Sequence, residues 1–115
     1  MLVVEDDVSL RLLCRVNLEL EGYRVLEAAT LPVARDLLAS EPVDVVLLDV
    51  HVSGESGLDL LYELDAEDER PALALFTGES RIDPSVHDRV DGLIAKPFTL
   101  EDLSGTVARL ATRVA

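Results

Sequence analysis

The stretch Val45-Val46-Leu47-Leu48-Asp49 decides the fold, because four consecutive apolar residues end abruptly in a carboxylate. A short run that is apolar on both faces indicates a buried, central strand of a parallel sheet. A lone carboxylate inside such a strand would be costly, so we expect Asp49 to face the loops at the carboxyl end of the strand. Ligands of open parallel sheets bind at that end. Asp49 is therefore a candidate functional residue, although its position also suits a loop or helix cap, a role that Ser53 or Ser56 could fill instead.

Three other apolar runs along the chain also end in polar side chains. In chain order these are Glu5 and Asp6 after residue 4, Thr77 after residue 76, and Lys96 after residue 95. Longer segments with a helical spacing of apolar residues separate the runs. Short apolar runs that alternate with helical segments predict an α/β fold built on a mostly parallel sheet. The carboxyl ends of such a sheet would gather three carboxylates, a hydroxyl and an ammonium group.

The predicted elements alternate along the whole chain. Strands are expected at residues 2–5, 23–28, 44–48, 72–76 and 92–95, the second at an edge of the sheet and the third near its centre. Helices are expected at residues 8–21, 30–39, 58–64 and 99–114, with at most a short helix after Pro84. In the first helix, Leu12, Val16 and Leu20 recur at helical spacing and form an apolar stripe.

Composition and charge are typical of one globular domain, residues 1–115, and exclude several classes of function. The net charge of −13 argues against direct binding of nucleic acid, which needs a basic face. No apolar run approaches the roughly 18–20 residues that cross a membrane, so we expect no membrane association. The single cysteine, Cys14, excludes an internal disulfide and is expected in the core. Together with the lack of a secretory signal, it indicates a cytoplasmic location.

The strand-end residues have the chemistry of a metal and phosphoryl site. The adjacent carboxylates of Glu5 and Asp6 repel each other unless a cation such as Mg²⁺ neutralises them. Beside that cation Asp49 would stay ionised and could act as a nucleophile toward phosphorus. Thr77 and Lys96 would add the positioning and positive charge on which phosphoryl transfer depends. The simpler interpretations are helix capping for the carboxylates, a backbone hydrogen bond for Thr77 and an exposed surface position for Lys96.

Four motifs together resemble one known family: Val3-Val4-Glu5-Asp6-Asp7, Val46-Leu47-Leu48-Asp49, Phe76-Thr77-Gly78 and Ala95-Lys96-Pro97-Phe98. In this order and at near-normal spacing they are similar to the receiver domain of two-component response regulators, over the whole chain. The resemblance implies a flavodoxin-like, doubly wound (βα)5 sandwich with a five-stranded parallel sheet in the order 2-1-3-4-5. It implies a signalling domain that catalyses only its own phosphorylation and dephosphorylation.

The resemblance also assigns the phosphoryl chemistry. Asp49 would accept a phosphoryl group from a histidine kinase or a phosphotransfer protein, and Thr77 and Lys96 would contact the phosphoryl oxygens. The Lys96-Pro97 peptide bond would be cis, as an X-Pro bond permits. The phosphorylated domain would switch its binding to a downstream protein target, which the sequence does not identify.

The same resemblance assigns the metal ligands. Asp6 and Asp49 would bind Mg²⁺ directly, together with the backbone carbonyl of His51. Glu5 would hold a water molecule bound to the metal.

Three departures from the family pattern affect these expectations. Val52-Ser53 replaces the usual Met-Pro, so we expect a looser loop after Asp49. Leu93 occupies the position of the family's aromatic switch residue. The segment between Thr77 and Lys96 is shorter than usual, so the fourth helix should be short or irregular.

Two other functions remain open on the sequence. One is a receiver-like interaction domain that no longer switches by phosphorylation, which Leu93 and the short fourth helix favour. The other is a metal-dependent phosphohydrolase with an aspartyl nucleophile. Such enzymes usually carry a second carboxylate two residues after the nucleophile, where this chain has His51.

Overall fold

The computed structural model describes residues 1–67, 69–78 and 83–114, with side chains as far as residue 112. The strands are β1 (Leu2–Val4), β2 (Leu26–Ala28), β3 (Val45–Asp49), β4 (His51–Val52), β5 (Glu55–Ser56), β6 (Ala72–Thr77) and β7 (Gly92–Ala95). The helices are α1 (Val8–Leu20), α2 (Leu31–Ser40), α3 (Leu58–Asp65), α4 (Pro84–His87) and α5 (Leu100–Val114).

In the described part of the chain, five parallel strands form the main sheet in the order β2-β1-β3-β6-β7. β4 and β5 form a separate hairpin, so β6 and β7 are the fourth and fifth strands of the main sheet. The observed order is therefore the predicted order 2-1-3-4-5. The five residues of β3 are all buried, which confirms the central strand predicted from their unbroken apolar run. The second predicted strand lies at an edge, as expected, but begins only at Leu26.

The strand register brings the polar side chains together at one edge of the sheet. Val4 pairs with Leu48, so Glu5 and Asp49 are the next residues of neighbouring strands. Asp49 pairs with Phe76, and Thr77 pairs with Ala95, which precedes Lys96. The four strand ends that the sequence singles out are therefore adjacent in space.

Alternating side chains of the sheet form two apolar cores. One face packs against α2 and α3 and includes the buried residues Leu2, Val4, Ala34, Leu48, Leu60, Leu61 and Leu75. The other packs against α1 and α5 and includes Val3, Cys14, Leu18, Leu47, Phe76, Leu103, Val107 and Leu110. Each fully buried large apolar side chain contributes about 1.5–3 kcal/mol. The free thiol of Cys14 lies in the second core, as predicted.

Side-chain caps define where the helices begin. Asp7 accepts a hydrogen bond from the N–H of Leu10 at 3.1 Å and starts α1, so neither Glu5 nor Asp6 is needed as its cap. Thr30 caps α2 in the same way. At α5 the caps are reciprocal, because the N–H of Asp102 donates to Thr99 and the N–H of Thr99 donates to Asp102.

The apolar stripe predicted for α1 exists but does not face the core. Leu12, Val16 and Leu20 are 46%, 43% and 80% exposed, whereas Cys14 and Leu18 are buried. Periodicity identifies residues on a common face of a helix, but it does not say which of two apolar faces packs inward. The outer face of α1 is therefore an unusual apolar surface.

Two loops differ in character from one another. Residues 51–56, expected as a loose loop, form the antiparallel β4–β5 hairpin, whose strands are too short to leave a period in the sequence. The shortened segment before Lys96 contains the four-residue helix α4, as expected. Residues 79–82 of the segment 78–91 lie outside the described residues.

No helix among the described residues combines the length and apolar character required to cross a membrane.

Gly57 allows α3 to begin directly against the backbone of Asp49. Its N–H donates to the carbonyl of Val50 at 2.6 Å, and an added Cβ would overlap the carbonyl oxygen of Asp49. Gly105, in α5, has no atom beyond its chain neighbours and the backbone of its own helix within 4 Å of the position of an added Cβ. The two positions therefore differ in the room they leave for a side chain, and only Gly57 has none.

We expect Gly57→Ala to lower the free energy of unfolding by about 1–3 kcal/mol, because the backbone of Asp49 must shift. Gly105→Ala should raise it by about 0.5–1 kcal/mol, since alanine is the better helix former. Urea denaturation of both variants measures the difference. Equal effects of the two substitutions would contradict the close approach at Gly57.

Candidate functional site

Three carboxylates meet at the carboxyl ends of β1 and β3. Glu5, Asp6 and Asp49 each offer an oxygen, and these three atoms lie within 4.8 Å of one another. Glu5 is buried at 1% exposure and Asp49 at 8%, whereas Asp6 is exposed. The cluster is thus open on the side of Asp6 and closed behind Glu5.

Lys96 balances part of this negative charge. Its Nζ donates to Glu5 Oε1 at 2.7 Å and to Asp49 Oδ2 at 2.8 Å. The backbone N–H of Lys96 donates to the backbone carbonyl of Thr77 at 2.7 Å. This bond holds the residues that follow β7 beside the end of β6. The Lys96-Pro97 bond is cis, as the resemblance implied. One ammonium therefore lies between two buried carboxyl groups.

The electrostatics of the cluster follow from burial and from these contacts. Burial, aided by the neighbouring carboxyl of Asp49 and opposed by Lys96, raises the pKa of Glu5 to about 7. Burial alone would also raise the pKa of Asp49, but its interactions with Glu5 and Lys96 outweigh burial and hold that pKa below its ordinary value. Asp49 is therefore the ionised member of the pair at neutral pH, and Glu5 is the one that retains a proton most readily.

One atom of the cluster lacks a hydrogen bond. Glu5 Oε2 is buried and has no hydrogen-bond partner among the described residues. A buried carboxylate oxygen without a donor is destabilising. A hard divalent cation with its coordinated water molecules would supply both charge and donors, and three carboxylate oxygens at this spacing suit Mg²⁺, whether bound directly or through one of its waters. The donor set therefore fits the predicted metal.

Neighbouring residues fix the strand ends that carry the carboxylates. Arg11, on α1, donates from Nη1 to the backbone carbonyl of Glu5 at 2.8 Å and pairs with Glu27 at 3.3 Å. The N–H of Ser53 donates to Asp6 Oδ2 at 2.8 Å. The sequence reasoning missed both contacts. The pair Ser53-Gly54 between short extended segments is a hairpin signal that could have indicated the second.

The other two predicted residues lie at the same edge of the sheet. His51 is exposed and begins β4, with its N–H 3.4 Å from Asp49 Oδ1. Thr77 is buried at the end of β6, beside Phe76, which pairs with Asp49. All six predicted site residues therefore lie around one edge, and their individual roles remain predictions.

Comparison with known proteins agrees with this geometry. The family model of the response regulator receiver domain matches residues 1–108. Sporulation initiation phosphotransferase F of Bacillus subtilis (strain 168) is 28% identical over 111 residues, which cover 94% of this chain and 90% of that protein.

Solved structures show the same fold. The receiver domain of NtrX from Brucella abortus matches with a TM-score of 0.83 at 26% identity, over 96% of this chain and 97% of that chain. A longer NtrX chain of the same organism, solved in complex with ATP, matches with a TM-score of 0.88 at 26% identity, over 98% of this chain. The present chain spans only 27% of that longer protein. On its sequence, its strand order and its family match, the chain belongs to the response regulator receiver domains of two-component signalling.

Proposed function

We propose that residues 1–115 form a phosphorylation-activated receiver domain in which Asp49 accepts a phosphoryl group in a Mg²⁺-dependent reaction. The donor is a histidine kinase or a phosphotransfer protein, and phosphorylation switches binding to a downstream protein. The observation that carries this proposal is the array in which Lys96 contacts both Glu5 and Asp49 beside the exposed carboxylate of Asp6. The buried free thiol of Cys14 suits a cytoplasmic location.

The state of Asp49 suits a nucleophile. Its lowered pKa keeps it ionised at neutral pH, so a carboxylate oxygen is available to attack phosphorus. The bond from that oxygen to phosphorus forms while the phosphorus–nitrogen bond of the partner's phosphohistidine breaks. Lys96 then exchanges its contact with Asp49 for one with a phosphoryl oxygen, and the hydroxyl of Thr77 contacts another. These two residues thus stabilise the charge that the phosphoryl group brings.

Four residues provide the ligands that would hold the cation. Asp6 and Asp49 would bind Mg²⁺ through carboxylate oxygens, the backbone carbonyl of His51 would be the third protein ligand, and Glu5 would hold a coordinated water. When bound, Mg²⁺ neutralises the negative charge of the incoming phosphoryl group and of the carboxylates. Retention of several waters is usual for this ion and is consistent with the small number of carboxylates.

The alternatives are weaker on the same observations. A metal-dependent phosphohydrolase would need an acid or base two residues beyond Asp49, and His51 there is an exposed side chain of the hairpin. An interaction domain without phosphorylation would have no use for a buried carboxylate pair held at Lys96, since buried charges are costly. The domain is therefore proposed as a signalling switch that catalyses only its own phosphorylation and dephosphorylation.

We propose that the outer face of α1 binds the phosphoryl donor. Five of the eight exposed large apolar side chains among the described residues lie on this helix: Val8, Leu12, Leu13, Val16 and Leu20. Exposed apolar clusters of this kind mark protein interfaces. The helix begins directly after Asp6 and Asp7, so a partner bound to this face would lie next to the carboxylate cluster. With a net charge of −13, the domain favours a partner whose apolar surface is bordered by basic residues.

We expect acetyl phosphate with Mg²⁺ to add one phosphoryl group to the protein, measured by intact-mass spectrometry, and Asp49→Asn to abolish the addition. Asp59→Asn, an exposed carboxylate of α3, serves as the control and should be labelled like the parent. Chelation of Mg²⁺ should slow labelling at least about tenfold, since charge neutralisation is lost. Undiminished labelling of Asp49→Asn would refute the assignment of the phosphoacceptor.

We expect Val16→Glu to slow phosphoryl transfer from the cognate autophosphorylated kinase by at least about tenfold, because a charge enters an apolar interface. Val33→Glu, on α2, is the matched control, since Val16 and Val33 are both valines with 43% exposure. The kinase is found by assaying the purified histidine kinases of the source organism. Labelling by acetyl phosphate should be the same in both variants. Equal transfer to both variants would place the donor elsewhere.

A further inference from the structure

The hairpin that follows Asp49 has an unusual turn. The turn residues Ser53 and Gly54 have φ values of 51° and 79°, so both adopt left-handed backbone conformations between β4 and β5. Two-residue hairpin turns of this kind match the twist of the flanking strands. A residue other than glycine with positive φ is uncommon and needs support from its surroundings. Val52, which is fully buried, anchors the hairpin in the core.

Ser53 connects the hairpin to two other parts of the site. Its N–H donates to Asp6 Oδ2 at 2.8 Å, and its Oγ donates to the carbonyl of Ala29, just after β2, at 2.9 Å. The first contact joins residues 47 positions apart in the chain. A hydrogen bond from a backbone N–H to a carboxylate is one of the stronger kinds in proteins. It fixes one oxygen of an exposed side chain that would otherwise rotate.

We propose that Ser53 is a positioning residue for the metal site, because its N–H orients the Asp6 carboxylate before a cation binds. This inference rests on the proposed role of Asp6 as a Mg²⁺ ligand. Oδ2 of Asp6 accepts from Ser53, and a carboxylate oxygen of Asp6 lies within 4.8 Å of oxygens of Glu5 and Asp49, as a shared ligand set requires. A side chain that is already ordered loses less conformational entropy on binding, so the affinity for the cation rises.

The same geometry is incompatible with proline at this position. Proline has no N–H and holds φ near −65°. It can therefore neither donate to Asp6 nor adopt the backbone conformation of Ser53, whose φ is 51°. Replacement of the family's Met-Pro by Val52-Ser53 thus adds a hydrogen-bond donor to the site.

The test compares Mg²⁺ affinities of three proteins by isothermal titration calorimetry. We expect Ser53→Pro to weaken Mg²⁺ binding about three- to tenfold, because the Asp6 side chain is no longer held. Ser53→Gly keeps the N–H and tolerates the positive φ, so its affinity should stay within about twofold of the parent. Parent-like binding by Ser53→Pro, or equal weakening in Ser53→Gly, would overturn the positioning role. Absence of Mg²⁺ binding by the parent would overturn the proposed function and this inference together.

A second measurement does not depend on the folding of Ser53→Pro. Hydrogen exchange of the Ser53 amide, followed by NMR in metal-free solution, should be slowed in the parent by at least about tenfold relative to an unprotected amide. Asp6→Ala removes the acceptor and should remove that protection, while leaving the amide of Val4 in β1 protected. An unprotected Ser53 amide in the parent, or protection that survives in Asp6→Ala, would overturn the inference.

Discussion

The contact of one ammonium group with two buried carboxyl groups constrains the rest of the site. Lys96 holds Glu5 and Asp49 at 2.7 Å and 2.8 Å, and neither carboxyl can leave without exposing an uncompensated charge. The ammonium carries one positive charge, whereas the carboxyls with Asp6 can carry three negative ones. Burial, together with the neighbouring carboxyl of Asp49, raises the pKa of Glu5, and the excess of negative charge favours a further cation. We propose that this imbalance is met by the Mg²⁺ ion on which phosphoryl acceptance at Asp49 depends.

Strand register and two close contacts between neighbouring segments bring these groups together. Parallel pairing of β1, β3, β6 and β7 puts their carboxyl ends side by side, so residues 91 positions apart can share a hydrogen bond. Gly57 lets α3 start against the backbone of Asp49, and the β4–β5 hairpin contacts the exposed Asp6 through the N–H of Ser53. The apolar outer face of α1 begins beside the same cluster. The proposed catalytic and recognition surfaces are thus contiguous.

The sequence predicted which residues lie together at the candidate site better than it predicted the structure around them. Apolar runs that stop at a polar residue locate strand ends, so the sequence alone was enough to group Glu5, Asp49 and Lys96, and the family resemblance supplied the strand order. The outward face of α1 could not be predicted, because Leu12 and Val16 have the same helical period as core residues. The pair Ser53-Gly54 indicates a hairpin, but the bond between Ser53 and Asp6 could not be read from it alone, since that bond depends on how a hairpin of two-residue strands folds over the sheet.

The most direct test of the charge imbalance is the free energy of unfolding of the parent and of Glu5→Gln as a function of pH, with and without Mg²⁺. The pKa of Glu5 is raised from 4.5 to about 7 in the folded protein, so the folded state binds its proton more tightly, and the parent loses stability as pH rises through this window. Without Mg²⁺ we expect the parent to lose of the order of 2 kcal/mol relative to Glu5→Gln between about pH 5 and about pH 8. Mg²⁺ should restore much of that loss. Parallel pH profiles for the two proteins, unaffected by Mg²⁺, would contradict the central role of the cluster.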